Sequence, residues 1–132
     1  MNNITLKLAT EKDIPVFIKL QDKIKDRKLY SFMDEEDVIE EFRKNVIYMI
    51  YRNDEVVGSI AYEIKNDKEI YISGFFIDPK YQKQGICSEA LKQVLEINKN
   101  FEKFYLLAHP DNKGTLALCK KFNFIFYNFY YI

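Results

Sequence analysis

Residues 46 to 77 constrain this chain more than any other stretch. Val46 to Arg52, Glu55 to Ile64 and Glu69 to Ile77 are three β-prone runs, parted only by Asn53-Asp54 and by Lys65-Asn66-Asp67-Lys68. Polar breaks this short make tight turns and leave no room for a helical crossover, so the runs form an antiparallel meander. The remaining elements must cover or extend that sheet.

On the N-terminal side, Ile4 to Ala9 alternates and reads as a strand. Thr10-Glu11-Lys12-Asp13 resembles a capping box. Ile14, Phe17, Ile18 and Ile24 follow at helical spacing, which predicts a helix to about residue 26. A second helix is expected over 34–44, where Asp34, Glu35, Glu36 and Asp37 suit the positive end of a helix dipole. After the meander comes Pro79-Lys80-Tyr81-Gln82-Lys83-Gln84-Gly85-Ile86-Cys87-Ser88, then a helix over about 88–99 and a short strand over 104–108. His109-Pro110-Asp111-Asn112 breaks that strand, a helix follows over 113–121, and 125–132 reads as one last aromatic strand. The order β, α, α, β, β, β, α, β, α, β implies a mixed α/β domain built on one sheet, spanning 1–132.

Composition narrows the function classes. A length of 132 residues with 48% apolar content fits one packed domain. Lys and Arg total 20 against 20 Asp and Glu, so no basic excess points to nucleic acid. No apolar run reaches the ~20 residues a membrane span needs, and Met1-Asn2-Asn3-Ile4 opens no secretory segment. Cys87 and Cys119 have neither metal-site spacing nor a disulfide framework. A soluble cytoplasmic protein is the expectation.

The joint after the third strand carries the chemical signal. Gly74 lies inside a strand, where glycine often marks a bulge or a close approach by another backbone. Asp78-Pro79 ends that strand, and the residues from Gln82 lead straight into a helix. Helix N-termini hold anions through unpaired N–H groups and partial positive charge. Gly85 would let the backbone approach a diphosphate, with Lys80 or Lys83 adding charge. The other reading is an ordinary strand-to-helix joint. No Gly-Lys-Ser/Thr ends the loop, which excludes a P-loop, and one glycine stands where a dinucleotide fingerprint needs three.

Taken with its surroundings, the loop resembles a known motif. Ile77-Asp78-Pro79 followed by Gln82-x-x-Gly85-x-Cys87 is similar to motif A of the GCN5-related N-acetyltransferases (GNAT), Arg/Gln-x-x-Gly-x-Gly/Ala. Asn112-x-x-Thr115-x-x-Leu118-Cys119-x-Lys121-x-Asn123-Phe124 resembles that family's Asn-x-x-Ala-x-x-Leu-Tyr-x-Lys-x-Gly-Phe. Leu6 to Asp13 and Val56-Val57-Gly58 are similar to the family's opening and third strand. The resemblance covers nearly the whole chain in element order.

It implies a mostly antiparallel sheet whose central parallel pair, here 69–77 and 104–108, splays around acetyl-CoA. Backbone groups at Phe76, Ile77 and Asp78 would pair with the pantetheine arm. The Gln82 motif would hold the pyrophosphate through backbone N–H groups of Lys83, Gln84, Gly85, Ile86, Cys87 and Ser88. Asn112 would contact the cofactor, cap the last helix, or both. Acetyl transfer to an amine would then need a base, an oxyanion donor and an acid for the thiolate. The usual acid is the Tyr that Cys119 replaces, so Cys119 is either the donor or an inert apolar residue. Family positions for a Glu base hold Ser73 and Leu107. Candidates left for the base are His109, Glu69, Tyr71 and water, with His109 also explicable as a surface turn residue. Cys87 stands where the motif has Gly or Ala, and near a helix N-terminus its thiol is expected to be acidified.

The family usually closes with two strands after its Gly-Phe, and this chain has room for one, which implies a shortened end and a possible homodimer. The acceptor, a small-molecule or peptide amine, would meet the acidic 34–41 region and Tyr30, Phe32 and Met33. A solvated helix face also explains those charges, and Tyr30, Phe32 and Met33 also read as core. A catalytically weak acyl-CoA-binding module and an unrelated α/β interaction domain are the competing classes.

Overall fold

The computed structural model describes residues 3–24, 34–107, 112–124, 126–127 and 130–131, with side chains described up to residue 124. Strand β1 (Ile4–Leu8) leads through a 3-10 turn (Glu11–Asp13) into α1 (Ile14–Asp22). Helix α2 (Glu35–Lys44) precedes the meander β2 (Val46–Arg52), β3 (Glu55–Ile64) and β4 (Glu69–Ile77). Then come a 3-10 turn (Pro79–Tyr81), α3 (Ile86–Ile97), β5 (Lys103–Leu107), α4 (Lys113–Lys121) and two short strands, β6 (Phe126–Tyr127) and β7 (Tyr130–Tyr131). The strands form one sheet in the order β1-β2-β3-β4-β5-β7-β6. Among these pairings only β4 and β5 run parallel.

Two apolar layers cover the sheet. On one face Ile50, Ile60, Ile70, Ile72 and Ile77 pack with Ile86, Ala90, Leu91 and Val94 of α3 and with Cys119 of α4. On the other, Ile47, Met49 and Ala61 meet Phe17 and Leu20 of α1 and Val38 of α2. Each fully buried Ile, Leu or Phe contributes about 1.5–3 kcal/mol through area removed from water. The alternation of β4 is not simple. Ala61 faces Gly74 and Tyr62 faces Ile72, so Ser73 is the extra residue of a bulge. The bulge shifts the face by one residue, letting Ile70 and Ile72, then Phe75 and Ile77, all belong to the α3 layer.

Helix ends follow their sequence chemistry. The Thr10 amide donates to Asp13 at 2.8 Å, closing the expected capping box, and Asp34 accepts from the Asp37 amide at 2.8 Å. Helix α4 ends in a Schellman motif. Asn123 is left-handed at φ 61°, and the Phe124 amide donates to the Cys119 carbonyl at 2.8 Å. Asparagine thus does the work of the family's glycine.

Three expectations need correction. The segment 125–132 is not one strand: β7 pairs antiparallel with β5, and β6 folds back on β7. Aromatic side chains at nearly every position give no alternation from which the break could be read. Helix α3 starts at Ile86 and not near Ser88, because Gly85 at φ 78° is its N-cap. Gly74 adjoins the bulge, one of the two readings its position offered, and the tight backbone approach falls at Gly58, where an added Cβ would sit 2.4 Å from the Phe76 carbonyl oxygen. Helix α1 ends at Asp22, and residues 25 and 26 of its expected span lie outside the described residues.

Candidate functional site

The parallel pairing of β4 with β5 runs from Glu69↔Lys103 to Ile72↔Leu106 and stops there. Beyond Ile72, β4 continues for five residues, paired among the described residues on its β3 side alone. A cleft of about 480 Å³ opens at this end. Its walls are Phe75 to Ile77, the loop residues Tyr81 to Lys83, the first turn from Gly85 to Ser88, and one side of α4.

The loop is held by contacts of its own. Asp78 caps the 3-10 turn by accepting from the Lys80 amide at 3.0 Å, and Pro79 begins that turn with no N–H to lose. The Gln82 side chain donates to the Ile77 carbonyl at 3.1 Å. Tyr81 donates to Glu55, and Arg52 donates to Gln84, both from the β2–β3 hairpin. Lys83 (φ 64°) and Gly85 (φ 78°) are both left-handed, which crowds successive amides into a concave turn suited to an anion. The first-turn N–H groups of α3 continue the turn, with no carbonyl of their own helix in reach. Lys83, Lys113 and Lys121 also line the cleft, and none forms an ion pair among the described residues.

Of the residues expected to meet the cofactor, Phe76, Ile77, Gln82, Lys83, Gly85, Ile86, Cys87, Ser88 and Asn112 line this cleft together. Asp78 and Gln84 do not. The Asp78 amide donates to the Val57 carbonyl at 2.8 Å and its carbonyl accepts from the Tyr81 amide at 2.8 Å, so its backbone is already engaged. Burial alone would raise the Asp78 carboxyl, but hydrogen bonds from Lys23 and the Lys80 amide hold it below the usual carboxylate range. Asn112 Oδ1 accepts from the Thr115 amide at 3.1 Å, so it is an N-cap at the cleft edge. The α4 stripe Gly114, Ala117, Leu118 and Lys121 was missed, although its i, i+3, i+4, i+7 spacing marks a single helix face.

The expected acid–base residues are not gathered there. Cys119 is buried in the core against α3, and burial pushes its thiol up to about 11. Burial also pushes the Cys87 thiol up to about 11, opposite to the acidified thiol expected at a helix N-terminus. Ser73 Oγ is buried at the bulge without a hydrogen-bond partner among the described residues, and Leu107 is exposed. Tyr71 and Tyr105 stack across the parallel pair at 5.1 Å. Hydrogen bonding by Asn66, aided by Lys103, lowers the Glu69 carboxyl, which makes it a weaker base. His109, Tyr30, Phe32 and Met33 lie outside the described residues.

A sheet whose parallel pair parts over an anion-shaped loop is the frame of an acyl-CoA-dependent transferase. The sequence profile of the acetyltransferase (GNAT) family matches residues 17–124, and the chain belongs to that family. No curated protein matches the sequence. Among solved structures, an acetyltransferase from Thermus thermophilus superposes with a TM-score of 0.84 at 16% identity, covering 97% of this chain and 94% of that one. A GNAT family acetyltransferase from Elizabethkingia anophelis with acetyl-CoA bound gives 0.72 at 22% identity, covering 96% and 78%. The ribosomal-protein-S18-alanine N-acetyltransferase from Escherichia coli gives 0.79 at 16%, covering 92% and 77%. The mixed fold expected from the sequence is the fold of these proteins.

Proposed function

We propose that the protein moves an acetyl group from acetyl-CoA to a primary amine by direct attack in a ternary complex. The observation that carries this reading is the cleft at the split end of β4 and β5. One wall supplies loop and α3 amides to a diphosphate, and three lysines with no ion-pair partner among the described residues face the same space. In the reaction an N–C bond forms and the C–S bond breaks. The ammonium proton must leave first, and the CoA thiolate departs with or without a proton donor. The burial of Cys119 supports its inert role, leaving water as donor. Tyr71, Glu69, His109 or ordered water takes the amine proton. In this reading a backbone N–H donates to the developing oxyanion.

A specific observation favours a second reading. Ser73, Leu107 and Cys119 put no carboxylate or phenol where family members carry acid–base groups, as an acyl-CoA-binding module would. Calorimetry with CoA and thiol release across polyamines, amino acids, aminoglycosides and peptides separate the two. Binding with turnover on one amine class supports transfer, and binding with a silent panel supports the module. Absence of binding at millimolar CoA overturns both. The acceptor is a small-molecule or peptide amine. The acidic face of α2 and the protein-alanine acceptor named for the Escherichia coli relative support including N-terminal peptides. Free thiols at Cys87 and Cys119 support a cytoplasmic setting, and the aromatic C-terminal segment supports a homodimer.

A further inference from the structure

We infer that Lys23, outside the cleft and outside every motif above, is a positioning residue for the cofactor loop. This rests on the acetyl-CoA reading. Lys23 is the residue after α1, and its ammonium donates to Asp78 Oδ2 at 2.9 Å. Asp78 is only 6% exposed. Its two backbone groups and both carboxylate oxygens are held by Val57, Tyr81, Lys80 and Lys23. A buried carboxylate stays charged and fixed only with a countercharge and satisfied oxygens. Hydrogen bonding to Asp78 raises the Lys23 pKa in turn, so the pair holds across the physiological range.

The consequence is mechanical. Helix α1 packs on the sheet face opposite α3, so the Lys23–Asp78 pair ties the first loop residue to the far helical layer. The hairpin contacts at Tyr81 and Gln84 tie the middle of the loop. Amides that must meet a diphosphate are fixed beforehand, and binding then loses less conformational entropy. Loosening the first tie returns that entropy to the free loop and weakens CoA without removing any group that touches it.

The test is a calorimetric titration with CoA, well below the melting temperature, of the wild type and of Lys23→Met, Lys23→Gln and Lys23→Arg. Because the Lys23 side chain is 56% exposed, solvent screening limits the loss, which we expect to be roughly fivefold in Kd for Lys23→Met. Lys23→Gln should show a loss in the same direction, keeping the test open if Lys23→Met folds poorly. Lys23→Arg should restore binding to within about twofold, since it keeps the charge. In an Asp78→Asn background, Lys23→Met should add no further loss. A role confined to stability would lower the melting temperature and leave Kd unchanged, which would overturn the inference. Independent, multiplying losses from the two sites would also overturn it. A wild type that binds no CoA sinks the acetyl-CoA reading instead, so the two failures are distinguishable.

Discussion

At the residue scale the two thiols make a signed prediction. Burial raises both Cys87 and Cys119 to about 11 from an ordinary 9.0. A folded pKa above the unfolded one means that the unfolded chain releases its protons first. The stabilisation is therefore complete below about pH 9 and is lost as pH climbs towards 11. The wild-type melting temperature should fall across that window more steeply than that of a Cys87→Ala/Cys119→Ala variant. Parallel curves would show that the thiols titrate normally. At about pH 8 a thiol reagent should label the folded protein slowly and the unfolded protein fast. Cys119→Ala should cost about 1 kcal/mol of stability through lost packing. Its turnover should stay within about twofold of wild type, and a loss of about tenfold or more would make Cys119 the acid after all.

At the element scale the register of β3 against β4 decides where a side chain can be tolerated. A Cβ on Gly58 would meet the Phe76 carbonyl oxygen at 2.4 Å and Ile77 Cδ1 at 2.8 Å. Backbone cannot step aside as a flexible side chain can, so Gly58→Ala should destabilise by about 1–3 kcal/mol in urea unfolding. Phe76 and Ile77 line the cleft, so CoA should weaken as well. Gly74→Ala, which meets only Ala61 Cβ at 3.7 Å, should be close to neutral. Equal costs at the two glycines would mean that the β3–β4 register is wrong. The contrast also shows what the residues announce. Asn53-Asp54 and the 65–68 turn punctuate the meander in plain view, and Asn112 and Asn123 mark both ends of α4. Gly74 announces the bulge beside it, but not that Ser73 is the extra residue, because a one-residue slip leaves the run as apolar and β-prone as before. The break between β6 and β7 is hidden for the same reason, among aromatics that suit a strand at every position.

At the scale of the whole molecule, the residues that line the cleft are largely legible in the sequence and those of an acceptor site are not. Gln82 to Ser88 is one contiguous loop whose residue types are dictated by backbone geometry. The expected acid–base positions Ser73, Leu107 and Cys119 lie on three separate elements, so no contiguous pattern announces them. The lysines of the cleft make the difference testable. The chain carries no net charge, with 20 basic against 20 acidic residues, so long-range steering does little for an anionic ligand. What attraction exists must be local, from Lys83, Lys113 and Lys121 together with the amides. Local charge at an open cleft is screened by salt, whereas fixed amides are affected less. CoA affinity should therefore fall several-fold between about 0.05 and about 0.5 M salt, and the slope should be shallower in Lys121→Ala. At about 100 times Kd, CoA should stabilise the folded protein by about 2.7 kcal/mol, raising the melting temperature by about 10 °C. Tight binding with no salt dependence would assign the affinity to the amides alone and leave the three lysines as solvated surface. Salt-sensitive binding that Lys121→Ala does not change would place the phosphates beyond the reach of α4.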